Sequence, residues 1–154
     1  MRIVVDNREQ CPWDFHGPAY EGTIAVRGTL DVGDYSIHGL ESRIAVERKG
    51  FPDLVQCLGN QRKRFWAELQ KAKSMDSFAV IIEGTWRDLA QGNYRSQLNP
   101  KSAVASVMAA SSRLGIPFLF CETRAGAEYA CYEFLRMYAK GLSQWAKGVL
   151  EAAG

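Results

Sequence analysis

Apolar residues in this chain follow two patterns: short continuous runs, and longer stretches in which they recur every three or four positions. A short apolar or β-branched run bounded by turn residues predicts a strand, whereas the longer spacing predicts an amphipathic helix. The predicted strands lie at residues 3–5, 23–30, 35–37, 44–46, 78–82 and 116–120. The run at 78–82 is apolar throughout, so it is the clearest buried strand.

Helix signals separate the later strands. Pro52 marks a helix start with Asp53 beside it, where an acid suits the positive end of the helix dipole. A second helix is predicted at 61–75, and its apolar stripe consists of Phe65, Leu69 and Ala72. A third begins at Pro100 with Asn99 as its cap.

The final helix carries a wide apolar stripe from Ala127 to Tyr138. Apolar character continues past Gly141 through Trp145 to Leu150, where a small domain has little left to pack against it. A homodimer surface is the natural explanation, and a flexible tail is the alternative.

Two segments follow neither pattern. Residues 11–22 are rich in Pro and Gly and are predicted to form a loop. Residues 86–99 are polar and mixed, which is typical of an exposed connecting loop, although Tyr94 and Arg95 could also stack on and contact DNA there.

The order of these elements, strands first and then helices alternating with strands, predicts an α/β fold with a mixed central sheet and flanking helices. The chain has 154 residues and 47% hydrophobic content, which is enough for one core and a single domain. No internal repeat or low-complexity segment is present.

Charge is balanced overall but unevenly distributed. The formal net charge is only +2, which by itself does not indicate a nucleic-acid binder. Residues 43–73, however, contain eight basic and three acidic side chains. The zone is either a solvated helix face or a basic surround for an acid site.

The cysteines and the N-terminus predict the compartment. The four cysteines have no C-x-x-C spacing and lie in or beside apolar runs, which favours free thiols over disulfides or zinc ligands. Asp6 interrupts the N-terminal apolar run, and no stretch is long enough to cross a membrane. We expect a cytoplasmic protein with no membrane partner.

The strands at 35–37 and 44–46 are joined by a Gly-containing connection and are predicted to pair as a hairpin. Side chains alternate faces along a strand, so Glu47 and Lys49 point the same way while Arg48 points the other way. Asp34, at the start of the first strand, should lie opposite the end of the second. Asp34 and Glu47 would then share one pocket.

Two carboxylates held close together either raise one pKa or recruit a cation. Mg²⁺ binds through one or two carboxylates together with waters and phosphate oxygens, which suits a phosphodiester-cleaving site. Lys49 beside such a metal could orient or deprotonate the attacking water, or stabilise charge on the phosphate.

These residues resemble a known signature. Gly33-Asp34, Glu47-Arg48-Lys49 and Asp53 look like the GD…ERKxxxD pattern of the XPF-type nuclease domain, a branch of the PD-(D/E)XK superfamily. Residues 5–9 are similar to the family's D-x-R-E, and the resemblance continues through 62–65, 80–84 and 115–120 to cover roughly residues 2–140. A helical tail at 141–154 completes the predicted domain.

The resemblance implies a restriction-endonuclease-like fold and a DNA endonuclease that depends on Mg²⁺ or Mn²⁺, acting on branched or flapped DNA as a homodimer. Asp34 and Glu47 would bind the metal, the Arg48 carbonyl would complete the site, and Lys49 would serve the water. Asp6 and Glu9 would extend the acid cluster, although local hydrogen bonds could instead cap Asp6.

Other residues have supporting roles in this interpretation. Asp53 is expected to act indirectly, or only as a helix-start acid. Arg62 is expected to point towards the sheet and contact phosphate, whereas Arg64 could instead pair with Glu68 four residues on. The predicted DNA-binding residues are Arg8, Arg62, Arg64 and Arg95.

The chain ends at Gly154 without the helix-hairpin-helix repeats of many family members. We therefore expect a stand-alone bacterial or phage nuclease, or one that relies on a protein partner for DNA targeting. A non-catalytic DNA-binding or dimerisation module and a junction resolvase-like nuclease are the alternatives. Every signature position is filled, which counts against the non-catalytic module.

Overall fold

A six-stranded mixed sheet forms the centre of the protein, and the computed structural model describes it together with the rest of residues 1–153. The strands are β1 (Arg2–Asp6), β2 (Ile24–Gly28), β3 (Tyr35–Ile37), β4 (Ile44–Gly50), β5 (Ser77–Glu83) and β6 (Phe118–Phe120). Their order across the sheet is β2-β1-β3-β4-β5-β6.

Strand direction decides where the polar strand ends meet. β3 runs antiparallel to both of its neighbours, β1 and β4. The pairs β1–β2, β4–β5 and β5–β6 are parallel. The carboxyl ends of β1 and β4 therefore lie at the same edge of the sheet as the start of β3.

Helices cover both faces of the sheet. They are α1 (Phe51–Leu58), α2 (Arg62–Ala72), α3 (Trp86–Gln91), α4 (Pro100–Leu114) and α5 (Arg124–Ala153). Helices α1 to α4 pack around Val80 and Ile82 on one face, and the first part of α5 packs around Ile81 on the other. All three of these β5 residues are fully buried, because β5 has apolar layers on both faces.

The predicted α/β class with a mixed sheet and flanking helices is confirmed, and so is the helix start at Asn99. The Asn99 side chain accepts hydrogen bonds from the backbone N–H groups of Lys101 and Ser102 at 3.0 and 3.3 Å. Within the described residues, no helix combines the length and apolar character needed to cross a membrane.

Two connecting segments have features that the sequence patterns did not predict. The segment 86–99 is not simply a loop, because Thr85 caps the short helix α3 by accepting a hydrogen bond from the Asp88 N–H at 3.0 Å. Residues 11–22 bury Trp13 in the second core cluster, where it stacks on Tyr35 at 4.7 Å between ring centroids. The last helix, α5, continues through Gly141 to Ala153; Gly154 lies outside the described residues.

Candidate active site

A cleft of about 420 Å³ lies between α2 and the sheet edge where β1, β3 and β4 meet. Backbone hydrogen bonds join the strands there: the Asp34 N–H donates to the Val46 carbonyl and the Asp6 N–H donates to the Asp34 carbonyl, both at 2.8 Å. Asp34, Glu47 and Lys49 all line the cleft. The predicted hairpin therefore brings its polar residues together.

Gly33 shapes the entry to β3. Its φ is +77°, and a Cβ added at this position would lie 2.9 Å from the Ala45 Cβ and 3.0 Å from the Val46 carbonyl oxygen. A side chain would thus meet both left-handed strain and a steric clash. Gly33 allows the chain to approach β4 closely enough for Asp34 to enter the cleft.

Asp34 and Glu47 are half-buried carboxyl groups that line the same cleft. The Asp34 Oδ2 accepts a hydrogen bond from the Arg48 backbone N–H at 2.8 Å. Burial and the nearby Glu47 charge nevertheless raise the pKa of Asp34 to about 7, and burial also raises the pKa of Glu47. The two carboxyl groups cannot both ionise easily at neutral pH.

Lys49 stands beside this acid pair. Its Nζ lies 2.6 Å from the Glu47 Oε1 and 5.6 Å from the centre of the Phe65 ring. Burial opposes the ammonium charge, but the Glu47 carboxylate outweighs it and raises the pKa of Lys49. Lys49 is therefore suited to donating hydrogen bonds and stabilising negative charge. This geometry is less suited to a proton acceptor.

Asp6 is buried and its carboxylate is occupied by nearby donors. It accepts hydrogen bonds from the backbone N–H groups of Arg8 and Leu30 at 2.9 and 2.8 Å, and from the Arg8 guanidinium at 2.6 Å. Burial acts to raise the pKa of Asp6, but the bonds from Arg8 and Leu30 outweigh it and lower that pKa to about 2. The structure thus provides the local caps that sequence reasoning held as the alternative to a cluster role.

Arg48 extends from the reverse face of β4. Its Nε donates to the Glu83 Oε1 at 2.8 Å, and its Nη1 donates to the Cys11 carbonyl at 2.6 Å and lies 3.5 Å from the Glu9 Oε1. The guanidinium also lies 4.7 Å from the Trp13 ring centre. Arg48 and Glu9 are thus paired behind the strand, and neither lines the cleft.

Some of the predicted supporting and DNA-binding residues line the cleft, and others lie outside it. Asp53 is exposed in the first turn of α1, with its carboxylate close to Gly50. Arg8 and Arg64 line the cleft, and Arg64 pairs with Glu68 at 3.0 Å.

Arg62 was expected to point towards the sheet and contact phosphate, but its side chain points away from the cleft. Its Nη1 donates to the Ser106 hydroxyl on α4 at 2.6 Å, because α4 lies next to the first turn of α2. Arg95 lines a different cavity, beside α1. The cleft therefore brings together only two of the four predicted DNA-binding residues.

Sequence reasoning missed two residues that line the cleft, Asp31 and Lys71. The Lys71 Nζ lies 3.3 Å from the Asp31 carbonyl oxygen, so it ties α2 to the turn before Asp34. Helical spacing could have identified Lys71. It lies seven residues after Arg64 and three after Glu68, on the same side of α2.

The acid pair suits a hard divalent cation. Residues 1–153 contain no group of three or more His, Cys, Asp or Glu side chains arranged to hold a metal. Mg²⁺ needs only one or two carboxylates when waters and substrate phosphates supply the remaining oxygens. Asp34 and Glu47, with their raised pKa values, provide such a set and would be stabilised by a cation between them.

Comparison with known proteins agrees with this fold. Residues 5–132 match the ERCC4 domain. The XPF protein from Aeropyrum pernix has a similar structure, with a TM-score of 0.69 and 20% identity over 99% of this chain and 73% of that chain. A second structure, that protein in complex with DNA, gives 0.68 and 23% over 91% of this chain and 66% of that chain. Comparison with curated proteins gives no match.

The mixed sheet and the ERCC4 match define the chain as an XPF-type nuclease domain. The match covers most of the residues, and the chain belongs to the ERCC4 domain family. The predicted family resemblance is thereby confirmed.

Proposed function

We propose that this protein is a divalent-metal-dependent endonuclease that hydrolyses phosphodiester bonds in DNA. The observation that carries the proposal is the juxtaposition of Asp34, Glu47 and Lys49 in one open cleft, with the Lys49 Nζ 2.6 Å from Glu47. Membership of the ERCC4 domain family supports a DNA-nuclease or DNA-binding role.

Asp34 and Glu47 would hold Mg²⁺ or Mn²⁺, together with the Arg48 carbonyl. The metal would polarise the phosphate and lower the pKa of an attacking water. Lys49, kept protonated by Glu47, would donate hydrogen bonds to the phosphate and stabilise its developing charge. Asp6 would fix the turn that carries Arg8, and Arg8 and Arg64 would contact neighbouring phosphates from the rim.

Branched or flapped DNA is the proposed substrate.

The protein is also proposed to act as a homodimer. The dimer is supported by exposed apolar side chains along the last part of α5: Met137, Trp145, Val149 and Leu150. We expect Trp145→Glu to convert a dimer to a monomer in analytical ultracentrifugation, because it places a charge in the patch. A wild type that stays monomeric at high concentration would contradict the dimer.

Purified protein should be incubated with single-stranded, duplex, flapped, forked and four-way DNA in Mg²⁺, Mn²⁺ or EDTA. We expect cleavage with either metal, none in EDTA, and none from Glu47→Gln. The matched control Glu21→Gln changes an exposed acid outside the cleft and should cleave normally. DNA binding without cleavage under every condition would instead favour the non-catalytic module, and cleavage confined to four-way DNA would favour a resolvase.

A further inference from the structure

A second cavity, of about 760 Å³, lies between α1 and the segment that joins α3 to α4. This volume is within the range of ~300–1,000 Å³ that is typical of small-ligand sites. One wall comes from α1 and the turn after it, and the other from residues 93–98. The cavity is separate from the acid cleft, because the two share no lining residue.

The chemistry of this cavity differs from that of the cleft. Four carboxylates line the cleft, whereas no carboxylate lines the second cavity. Its polar side chains are mainly carboxamides, with one guanidinium: Gln56, Asn60, Asn93, Arg95 and Gln97. A carboxamide both donates and accepts hydrogen bonds, which is the pattern that recognises the edge of a nucleobase.

An anchored aromatic ring forms part of the wall. The Tyr94 hydroxyl donates to the Leu98 carbonyl at 2.8 Å, which fixes the ring at the cavity. Its centroid lies 6.2 Å from that of Phe51, with the planes tilted by 57°. Aromatic side chains held in this way stack on unpaired bases of any sequence.

One wall of the cavity comes from residues that follow the proposed catalytic residues closely in sequence. Phe51, on its wall, follows Lys49 by two residues, a span of at most ~7 Å. Lys49 lines the cleft and Phe51 lines the cavity, so a strand that passes from one site to the other would follow neighbouring residues of the chain.

We propose that this cavity receives one unpaired nucleobase of the DNA strand held in the cleft. The base would stack on Tyr94, and the carboxamides would hydrogen-bond its edge. A base-paired nucleotide stays inside the duplex, so the cavity would favour substrates with an unpaired nucleotide near the cleavage site. This inference rests on the proposed nuclease function.

The test is an abasic scan of a flapped oligonucleotide, with binding measured by fluorescence anisotropy in EDTA and cleavage measured in Mg²⁺. For the wild type, we expect an abasic nucleotide at one position near the cleavage site to weaken binding about tenfold, and the same change elsewhere to have little effect. The size of this position-dependent penalty is the quantity compared between variants.

Two Tyr94 variants separate stacking from structure. Tyr94→Phe keeps the ring but loses the bond to Leu98, so it should retain the penalty. Tyr94→Leu loses both and should reduce the penalty to less than about twofold. The double variant Asn60→Ala/Gln97→Ala, which changes exposed residues, should also reduce it, whereas the control Gln70→Ala, on the exposed side of α2, should not. Thermal melting checks that each variant is folded.

The outcomes distinguish this inference from the proposed function. Normal binding and cleavage with no position-dependent penalty, or with the same penalty in Tyr94→Leu and the double variant, would overturn the nucleobase site alone. A protein that neither binds nor cleaves any DNA in the panel would overturn both.

Discussion

The two faces of β4 use consecutive residues in opposite ways. On the reverse face, Arg48 is paired with Glu83 and Glu9 and covers Trp13, so its charge is matched within the protein. On the cleft face, Lys49 pairs with Glu47, and burial raises the pKa of both the Asp34 and the Glu47 carboxyl groups. The reverse face balances its charges within the protein, whereas the cleft face leaves two carboxyl groups with raised pKa values.

The largest expected effect is on activity, from the cleft face. Lys49→Ala should lower cleavage by ~10²–10⁴-fold because it removes the donor proposed to stabilise the phosphate. The fold should remain, since Lys49 contributes no apolar core side chain. Activity and circular dichroism should be measured together, with Lys63→Ala as the control on the exposed side of α2. If Lys49→Ala cleaves DNA at the wild-type rate, Lys49 has no part in the mechanism.

A substitution on the reverse face of β4 should lower the free energy of unfolding. Arg48→Met leaves Glu83 and Glu9 without their cation, and breaking such a mostly buried network costs ~3 kcal/mol. Arg43→Met is the matched control, because its pair with Asp76 is about half exposed and should contribute less than ~1 kcal/mol. Chemical unfolding would measure both. Equal losses would mean that the two networks do not differ as the geometry indicates.

Asp34 gives a smaller, pH-dependent effect. Its folded pKa of about 7 lies above the unfolded value of ~3.9, so its protonation supports the fold at low pH, and that support is lost as pH rises through 7. In EDTA, Asp34→Asn should therefore melt above the wild type at pH 8, by a margin that shrinks towards pH 5.

Stabilisation by a divalent metal tests whether Asp34 is a metal ligand. Mg²⁺ or Mn²⁺ should raise the wild-type midpoint by mass action and should have much less effect on Asp34→Asn. Differential scanning fluorimetry across pH and metal concentration measures both effects. Equal stabilisation of the two proteins would show that Asp34 is not a ligand. A marked loss of stability in Asp34→Asn would show that the acid is structural.

The smallest expected effect extends the comparison to α2. Arg64 lines the cleft, whereas Arg62 bonds to Ser106. DNA binding weakens as salt rises, and the slope of log K against log salt concentration measures this dependence. Arg64→Ala should make that slope shallower by ~0.9, the contribution of one phosphate contact. Arg62→Ala should leave that slope unchanged and slightly lower the melting midpoint. A reduced slope in Arg62→Ala would restore its predicted phosphate contact.

Local periodicity predicted much of this site. The alternation along β4 placed Glu47 and Lys49 together and Arg48 behind them, because strand parity needs no knowledge of the rest of the fold. The hairpin then placed Asp34 beside them. Each inference used residues close together in the chain.

Long-range packing decided the remaining features. The bonds of Asp6 depend on Leu30, which is distant in sequence, and the direction of Arg62 depends on where α4 lies. Trp13 is in a Pro- and Gly-rich segment, yet Tyr35 and Arg48 provide a place for it to be buried. Spacing along the sequence carries no signal for such partners.

The β3–β4 hairpin also has a consequence for the order of folding. Its strands are joined by a short connection, whereas β4 and β5 pair only after α1 and α2 have crossed between them. Short loops close faster than long ones, so the two carboxylates should approach each other early, before the parallel pairing can stabilise them. Their repulsion would then slow folding itself. In chevron measurements in EDTA, Asp34→Asn should fold faster than the wild type while unfolding at a similar rate.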